Sequence, residues 1–112
     1  MKKRTLKALQ QSIKKWEKNT LAQEPRKMLL GVESCPLCVL FYDNDCVGCP
    51  IYEKNHKHRK CDLTPYEGTT INHLRWMYAE NEDTEKHYKK LTMRYAKQEV
   101  KFLKSLLPTG GE

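Results

Sequence analysis

The chain has 112 residues, enough for one domain, 1–112, with a single modest hydrophobic core. Hydrophobic residues make up 38% and charged residues 31%, and no stretch approaches the roughly 20 apolar residues that span a membrane. The cysteine count, five, is odd, which argues against a complete disulfide framework. Since no long apolar run follows the basic start, we predict no signal peptide and expect a cytoplasmic protein with reduced thiols.

Residues 1–24 predict a basic amphipathic helix. Its apolar residues recur at the helical period within an arc of about 80°, namely Leu6, Leu9, Ile13 and Trp16. The opposite side carries Arg4, Lys7, Lys14, Lys15 and Lys18. The formal net charge of +7 is carried by residues 1–30. These cations could bind nucleic-acid phosphates, although a basic outer face also keeps many small helical proteins soluble.

Segment 34–62 holds all the cysteines, which are Cys35, Cys38, Cys46, Cys49 and Cys61. The first four form two CxxC units. Each CxxC turn lets two thiolates converge on one ion, and two such turns complete a tetrahedral shell of four sulfur ligands. We therefore predict that this segment is a zinc knot.

Five thiols are one too many for a single zinc ion. Cys35, Cys38 and Cys49 are the expected ligands, and the fourth is either Cys46 or Cys61. If the chain after Cys38 is helical through residue 42, the turn that follows would carry Cys46 away and let Cys61 complete the site. Two histidines that flank Lys57 could also serve, but we expect them to be solvated: His56 and His58.

Other chemistries compete with zinc at this segment. An iron–sulfur cluster is the main alternative, because Cys49-Pro50 is similar to the end of bacterial ferredoxin motifs. A thioredoxin-like redox pair would need a βαβ pattern, which the sequence lacks, and a disulfide knot is a further alternative. Four thiolates leave a zinc ion weakly Lewis-acidic and without an open position, so we expect a structural role and no enzymatic activity.

A middle helix is predicted over residues 64–80. Thr64 is the expected N-cap, Pro65 the first helical residue and Glu67 the partner in a capping box. Gly68 leaves open a later start, at residue 69 or 70. The expected apolar face consists of Ile71, Leu74, Met77 and Tyr78. His73 falls on the inner side, where we expect a hydrogen-bonded core histidine.

The last helix is predicted over residues 83–107. Its apolar stripe contains Tyr88, Leu91, Tyr95, Phe102, Leu103 and Leu106. Glu99 interrupts this stripe, and an unpaired buried carboxylate is costly. We expect Glu99 to pair with a Lys or Arg, or to accept a hydrogen bond from the Trp16 indole where the terminal helices meet.

Three motifs occur in a fixed order along most of the chain: SIKKWE, CPLC…CVGCPIY…C…TPY and EVKFLKSLL. This pattern resembles a group of small uncharacterised proteins encoded by phages and other prokaryotic genomes. The resemblance implies that the five cysteines belong to one site, and it implies no particular activity. The chain departs from the group at Asn55-His56, where Thr-Gly is expected, so the loop before Cys61 differs.

These patterns together predict a mainly α protein, in which long N- and C-terminal helices pack together around a central cysteine-rich zinc knot. The leading functional hypothesis is a non-enzymatic binding module for a protein partner, such as a phage-encoded inhibitor of a host protein or an accessory factor. The alternative is a nucleic-acid-binding protein that uses the basic N-terminal helix, and the third is an iron–sulfur or redox protein. We expect no membrane partner, because a helix bundle would use the few apolar residues of the first helix.

Overall fold

The computed structural model describes residues 1–30, 35–41, 49–51 and 65–108, with the side chain of Cys38 excepted. These ranges contain helices and no strand, which confirms the predicted α class for the described part of the chain. The helices are α1 (Lys3–Asn19), α2 (Pro36–Phe41), α3 (Pro65–Met77) and α4 (Glu82–Ser105), and a short 3₁₀ helix spans Pro25–Lys27. None of the helices in these ranges has both the length and the apolarity needed to cross a bilayer.

Helix α1 uses the predicted apolar face and ends earlier than predicted. Leu9, Ile13 and Trp16 are buried, whereas Leu6 is half-buried. The helix ends at Asn19, and the Asn19 side chain forms two hydrogen bonds with the backbone of Leu29, at 2.9 and 3.1 Å. These bonds tie the following loop back to the helix end, which is why the chain leaves the helical path before residue 24.

Helices α1 and α4 lie side by side and antiparallel, which confirms the predicted packing of the two terminal helices. Glu17 of α1 pairs with Lys104 near the end of α4, at 3.5 Å. Six residues further along the chain, the Gln23 side chain accepts a hydrogen bond from Lys89, earlier in α4, at 3.0 Å. Helix α2 packs against α1.

Helix α3 forms the most extensive helix–helix contact in the described structure, against α4. It begins at Pro65, so the alternative starts at residues 69 and 70 are wrong. A Cβ atom on Gly68 would lie 2.5 Å from the Tyr95 ring, so the glycine lets α3 approach α4 closely. Gly68 is therefore a packing residue within the helix rather than a boundary.

The predicted apolar face of α3 is wrong. Ile71, Leu74, Met77 and Tyr78 are all exposed, and the buried residues are Thr69, Asn72 and Trp76. Thr69 and Asn72 each donate a hydrogen bond to the backbone one turn earlier, to the carbonyls of residues 65 and 68, both at 2.8 Å. These polar groups are satisfied within the helix, so the face that carries them can be buried at little cost.

Helix α4 begins where Asn81 caps it, with the side-chain oxygen accepting from the Thr84 backbone N–H at 2.8 Å. Its buried residues are Thr92, Ala96, Glu99 and Leu103. Most of the predicted apolar stripe is half-buried and flanks this narrow strip, namely Tyr88, Leu91, Tyr95, Phe102 and Leu106. Small residues at the centre of the strip let neighbouring helices come close, and the aromatic rings fill the sides.

Candidate metal centre

The two described cysteine side chains are attached to the hydrophobic core by neighbouring residues. Cys35 is half-buried directly before α2, and its carbonyl accepts the Val39 N–H at 3.0 Å. Leu37, two residues later, is fully buried. Cys49 is 6% exposed, and Ile51, two residues after it, is buried to the same extent. Each of these two cysteines is therefore followed, two residues later, by a side chain of the hydrophobic core.

Glu99 faces this region from α4. Its side chain is 2% exposed, and Oε1 has no hydrogen-bond partner among the described residues. The pKa of Glu99 is raised to about 7, chiefly by burial and secondarily by the negative charge of Cys35, while Lys15 acts in the opposite direction. The carboxyl group is therefore partly protonated at neutral pH, which limits its repulsion of a thiolate at Cys35.

The surroundings of Glu99 match the sequence-based expectation only in part. A cation, Lys15, does act on the carboxylate electrostatically. No hydrogen bond from the Trp16 indole to Glu99 is present among the described residues. Lys15 differs from the other cations of α1, because it is half-buried with its ammonium 5.7 Å from the centre of the Trp16 ring.

The predicted zinc ligands lie mostly outside the described residues. This applies to the Cys38 side chain and to all of Cys46 and Cys61, as well as His56 and His58. In the described part of the chain, no three metal-binding side chains converge. Helix α2 continues from Pro36 to Phe41, so the helical path after Cys38 extends as far as the description reaches. The sequence argument for Cys61 over Cys46 requires this path to continue through residue 42, which lies outside the described residues, so the fourth ligand stays a prediction.

His73 is a hydrogen-bonded histidine, as predicted. Its Nε2 lies 2.7 Å from the Pro25 carbonyl oxygen, so the Nε2–H tautomer donates to that carbonyl. The ring also meets Trp76 edge-on, with 6.4 Å between ring centres. These contacts attach the 3₁₀ helix to α3, and they give His73 a structural role.

The other predicted nucleic-acid-binding residues of α1 are exposed: Arg4, Lys7, Lys14 and Lys18. Sequence reasoning missed a second set of exposed cations on α4, which contains Lys90, Arg94, Lys97 and Lys101. The net charge of residues 63–112 does not reveal this set, because the segment contains eight Lys or Arg and seven Asp or Glu residues. The spacing of four, three and four residues would have revealed it.

No family model, curated protein or solved structure matches this chain at a significant level.

Proposed function

We propose that this protein is a small, zinc-stabilised, non-enzymatic binding module that docks a protein partner on the outer face of α3. One observation carries the proposal, the apolar side chains that α3 presents to solvent. The exposed fractions are 44% for Ile71, 55% for Leu74, 43% for Met77 and 73% for Tyr78. This set is called the α3 outer face below.

The α3 outer face has the spacing of a recognition surface. Ile71, Leu74 and Tyr78 follow one another at three and four residues, so they form one row along the helix. The opposite side of α3 is already occupied by α4, which buries Trp76. Soluble proteins rarely leave a contiguous apolar row exposed unless a partner covers it. Rows with this spacing recur where helices dock onto partner proteins.

The charges next to the α3 outer face indicate the chemistry of the partner. Acidic side chains follow it in the chain and are exposed, namely Glu80, Glu82, Asp83 and Glu85. A complementary segment would place apolar side chains on the row and Lys or Arg beside these carboxylates. We therefore propose that the partner segment is apolar and flanked by basic residues. The resemblance to phage-encoded proteins favours a host protein as its source.

The zinc knot would support this surface from the N-terminal side. Residues 34–62 lead directly into α3, and a structural ion would fix the position at which α3 begins. The burial of Cys49 and the core attachment of Cys35 support a structural role for these thiols. The chemistry that zinc would supply here is cross-linking of the chain by thiolates, because four such ligands leave no open position for a substrate.

The proposal can be tested by site-specific photocrosslinking in expressing cells. A benzophenone amino acid would replace Leu74 in one variant. In the matched control it would replace Leu21, another strongly exposed leucine, which is not part of the row. We expect Leu74 alone to cross-link to one polypeptide, at an apolar segment flanked by Lys or Arg. Binding of that purified polypeptide should then weaken more than about tenfold with Leu74→Glu, since such anchors dominate interfaces, and stay unchanged with Leu21→Glu.

Three results would overturn the proposal. The first is equal cross-linking from both positions. The second is the absence of any cross-linked protein. The third is a cross-link only to a second copy of this chain, which would make the row a homodimer interface.

A further inference from the structure

The solvent side of α4 carries a continuous row of cations. At 100° per residue, exposed Lys and Arg residues fall within an arc of about 80°. These residues, called the α4 stripe below, are Lys86, Lys90, Arg94, Lys97, Lys101 and Lys104. Successive members are three or four residues apart, so the α4 stripe is straight and about 27 Å long at 1.5 Å per residue.

The centre of the α4 stripe has no counter-charge in the described structure. Lys86 pairs with Glu82 at 3.3 Å at one end, and Lys104 pairs with Glu17 at 3.5 Å at the other. The members between them form no ion pair with any described residue: Lys90, Arg94, Lys97 and Lys101. Asp83 is the last acidic residue of α4 on the side that carries the α4 stripe.

The basic surface extends from α4 onto α1. Lys7 and Lys14 of α1 line an open groove of about 620 Å³ together with Lys104 of α4. The acidic residue in this groove, Glu17, is already paired with Lys104. The two helices therefore present one surface with a strong positive charge.

This arrangement works against the stability of α4 itself. Like charges four residues apart repel one another on a helix, as at Lys90 and Arg94 and at Lys97 and Lys101. A surface that served only solubility would interleave acidic residues and gain stability from i, i+4 pairs. A row of one sign along the helix is therefore more consistent with a polyanionic ligand.

We propose that the α4 stripe, together with Lys7 and Lys14, binds the phosphate backbone of double-stranded nucleic acid without reading its sequence. Cations about 5 Å apart along a straight row fit a regular array of phosphates better than the uneven charges of a folded acidic protein. The α4 stripe contains no aromatic residue on which the bases of a single strand would stack. A membrane surface fits less well, because the apolar side chains of α4 point into the helix bundle and cannot insert into lipid. This proposal is independent of the protein-docking face on α3.

The test is fluorescence anisotropy of the full-length protein with short labelled duplexes of DNA and of RNA. We expect both duplexes to bind at low salt. If about five cations contact phosphates, the slope of log affinity against log salt concentration should be about −4.5. The double variant Lys97→Gln/Lys101→Gln should make that slope shallower by about 1.8 and weaken binding at low salt by more than about tenfold.

A matched control is Arg26→Gln/Lys27→Gln, which removes the same charge from the 3₁₀ helix, outside the proposed surface. It should weaken binding much less than the stripe variant and leave the salt slope unchanged, because these two cations lie outside the proposed surface and would contact no phosphate. Thermal melting by circular dichroism would show that both double variants stay folded.

The proposal would be overturned if no duplex binds at low salt, or if the control variant weakens binding as much as the stripe variant. It would also be overturned if a single strand of the same sequence binds more tightly than the duplex. Binding to phosphatidylserine vesicles without binding to either duplex would assign the surface to a membrane instead.

Discussion

Glu99 links folding to pH through a single buried carboxyl group. Burial is the largest cause of its raised pKa, with the negative charge of Cys35 second and Lys15 acting in the opposite direction. The carboxyl binds its proton more tightly in the folded state than in the unfolded state. Its contribution to stability is therefore fully present below the ordinary pKa of 4.5 and is lost as the pH rises through about 7.

Replacement of Glu99 by Gln should remove this pH dependence. The shift from 4.5 to about 7 corresponds to about 3 kcal/mol at 1.36 kcal/mol per pKa unit, as an order of magnitude. We expect the variant to gain stability relative to the wild type between about pH 5 and about pH 8. Urea unfolding at several pH values measures this difference. The control is Glu85→Gln, at an exposed position on the same helix. The prediction would be contradicted if the difference in unfolding free energy between the wild type and Glu99→Gln stayed constant with pH.

Gly68 is a second single residue on which packing depends. In an exposed helix, replacement of glycine by alanine would stabilise by about 1 kcal/mol. Here the new methyl group would meet the Tyr95 ring at 2.5 Å, so either the ring or the helix must move. We expect Gly68→Ala to destabilise the protein by about 1–3 kcal/mol, the usual cost of overpacking. An unfolding free energy equal to or above that of the wild type would contradict this prediction and show that the Tyr95 ring moves aside at little cost.

Among the elements, α3 shows where sequence patterns succeed and where they fail. Proline is favoured at the first position of a helix, and α3 does begin at Pro65. The orientation of the helix does not follow from hydrophobicity, because its inner face consists of Trp76 with small polar residues satisfied by their own backbone. The fit of Gly68 against Tyr95 decides the orientation, and this contact joins residues 27 positions apart.

The orientation of α3 predicts opposite outcomes for two substitutions on the same helix. Leu74→Asn changes an exposed side chain, so the unfolding free energy should move by less than about 0.5 kcal/mol. Trp76→Ala removes a side chain that is only 2% exposed, and the expected loss is about 3–5 kcal/mol. Denaturant unfolding of both variants is the measurement. Comparable losses in the two variants would mean that the outer row is buried in solution.

Across the whole molecule, the packing of the terminal helices was predictable, whereas the joining of distant segments was not. The helical period places Leu9, Ile13 and Trp16 on one face of α1, and that face is buried. The approach of Glu99 to Cys35 connects positions 64 residues apart, and no local pattern carries that information. The same applies to the basic surface, because Lys14 and Lys104 line one groove only when α1 packs against the end of α4.

The predicted metal should hold the cysteine-containing segments to the helix bundle. Cys35 precedes α2, which packs against α1, and Cys49 lies in the core beside Ile51. An ion shared by these segments would cross-link them at positions far apart in the chain. A chelator should therefore lower the melting temperature and increase hydrogen exchange at residues 35–41 and 49–51, while the centre of α4 keeps its protection.

The ion and its fourth ligand can be determined together by metal analysis of the purified protein and two variants. We expect one zinc ion per chain, because paired CxxC units form a tetrahedral thiolate site. If the helical path of α2, which the structure describes from Pro36 to Phe41, continues through residue 42, Cys61 is the closing ligand, so Cys61→Ser should lose zinc and Cys46→Ser should retain it. The opposite pattern would assign Cys46 instead.

Retention of zinc by both variants would show that either thiol can close the site. A brown protein that contains iron would show that the site holds an iron–sulfur cluster and not zinc. Cys35→Ser with an unchanged melting temperature would contradict a structural metal altogether.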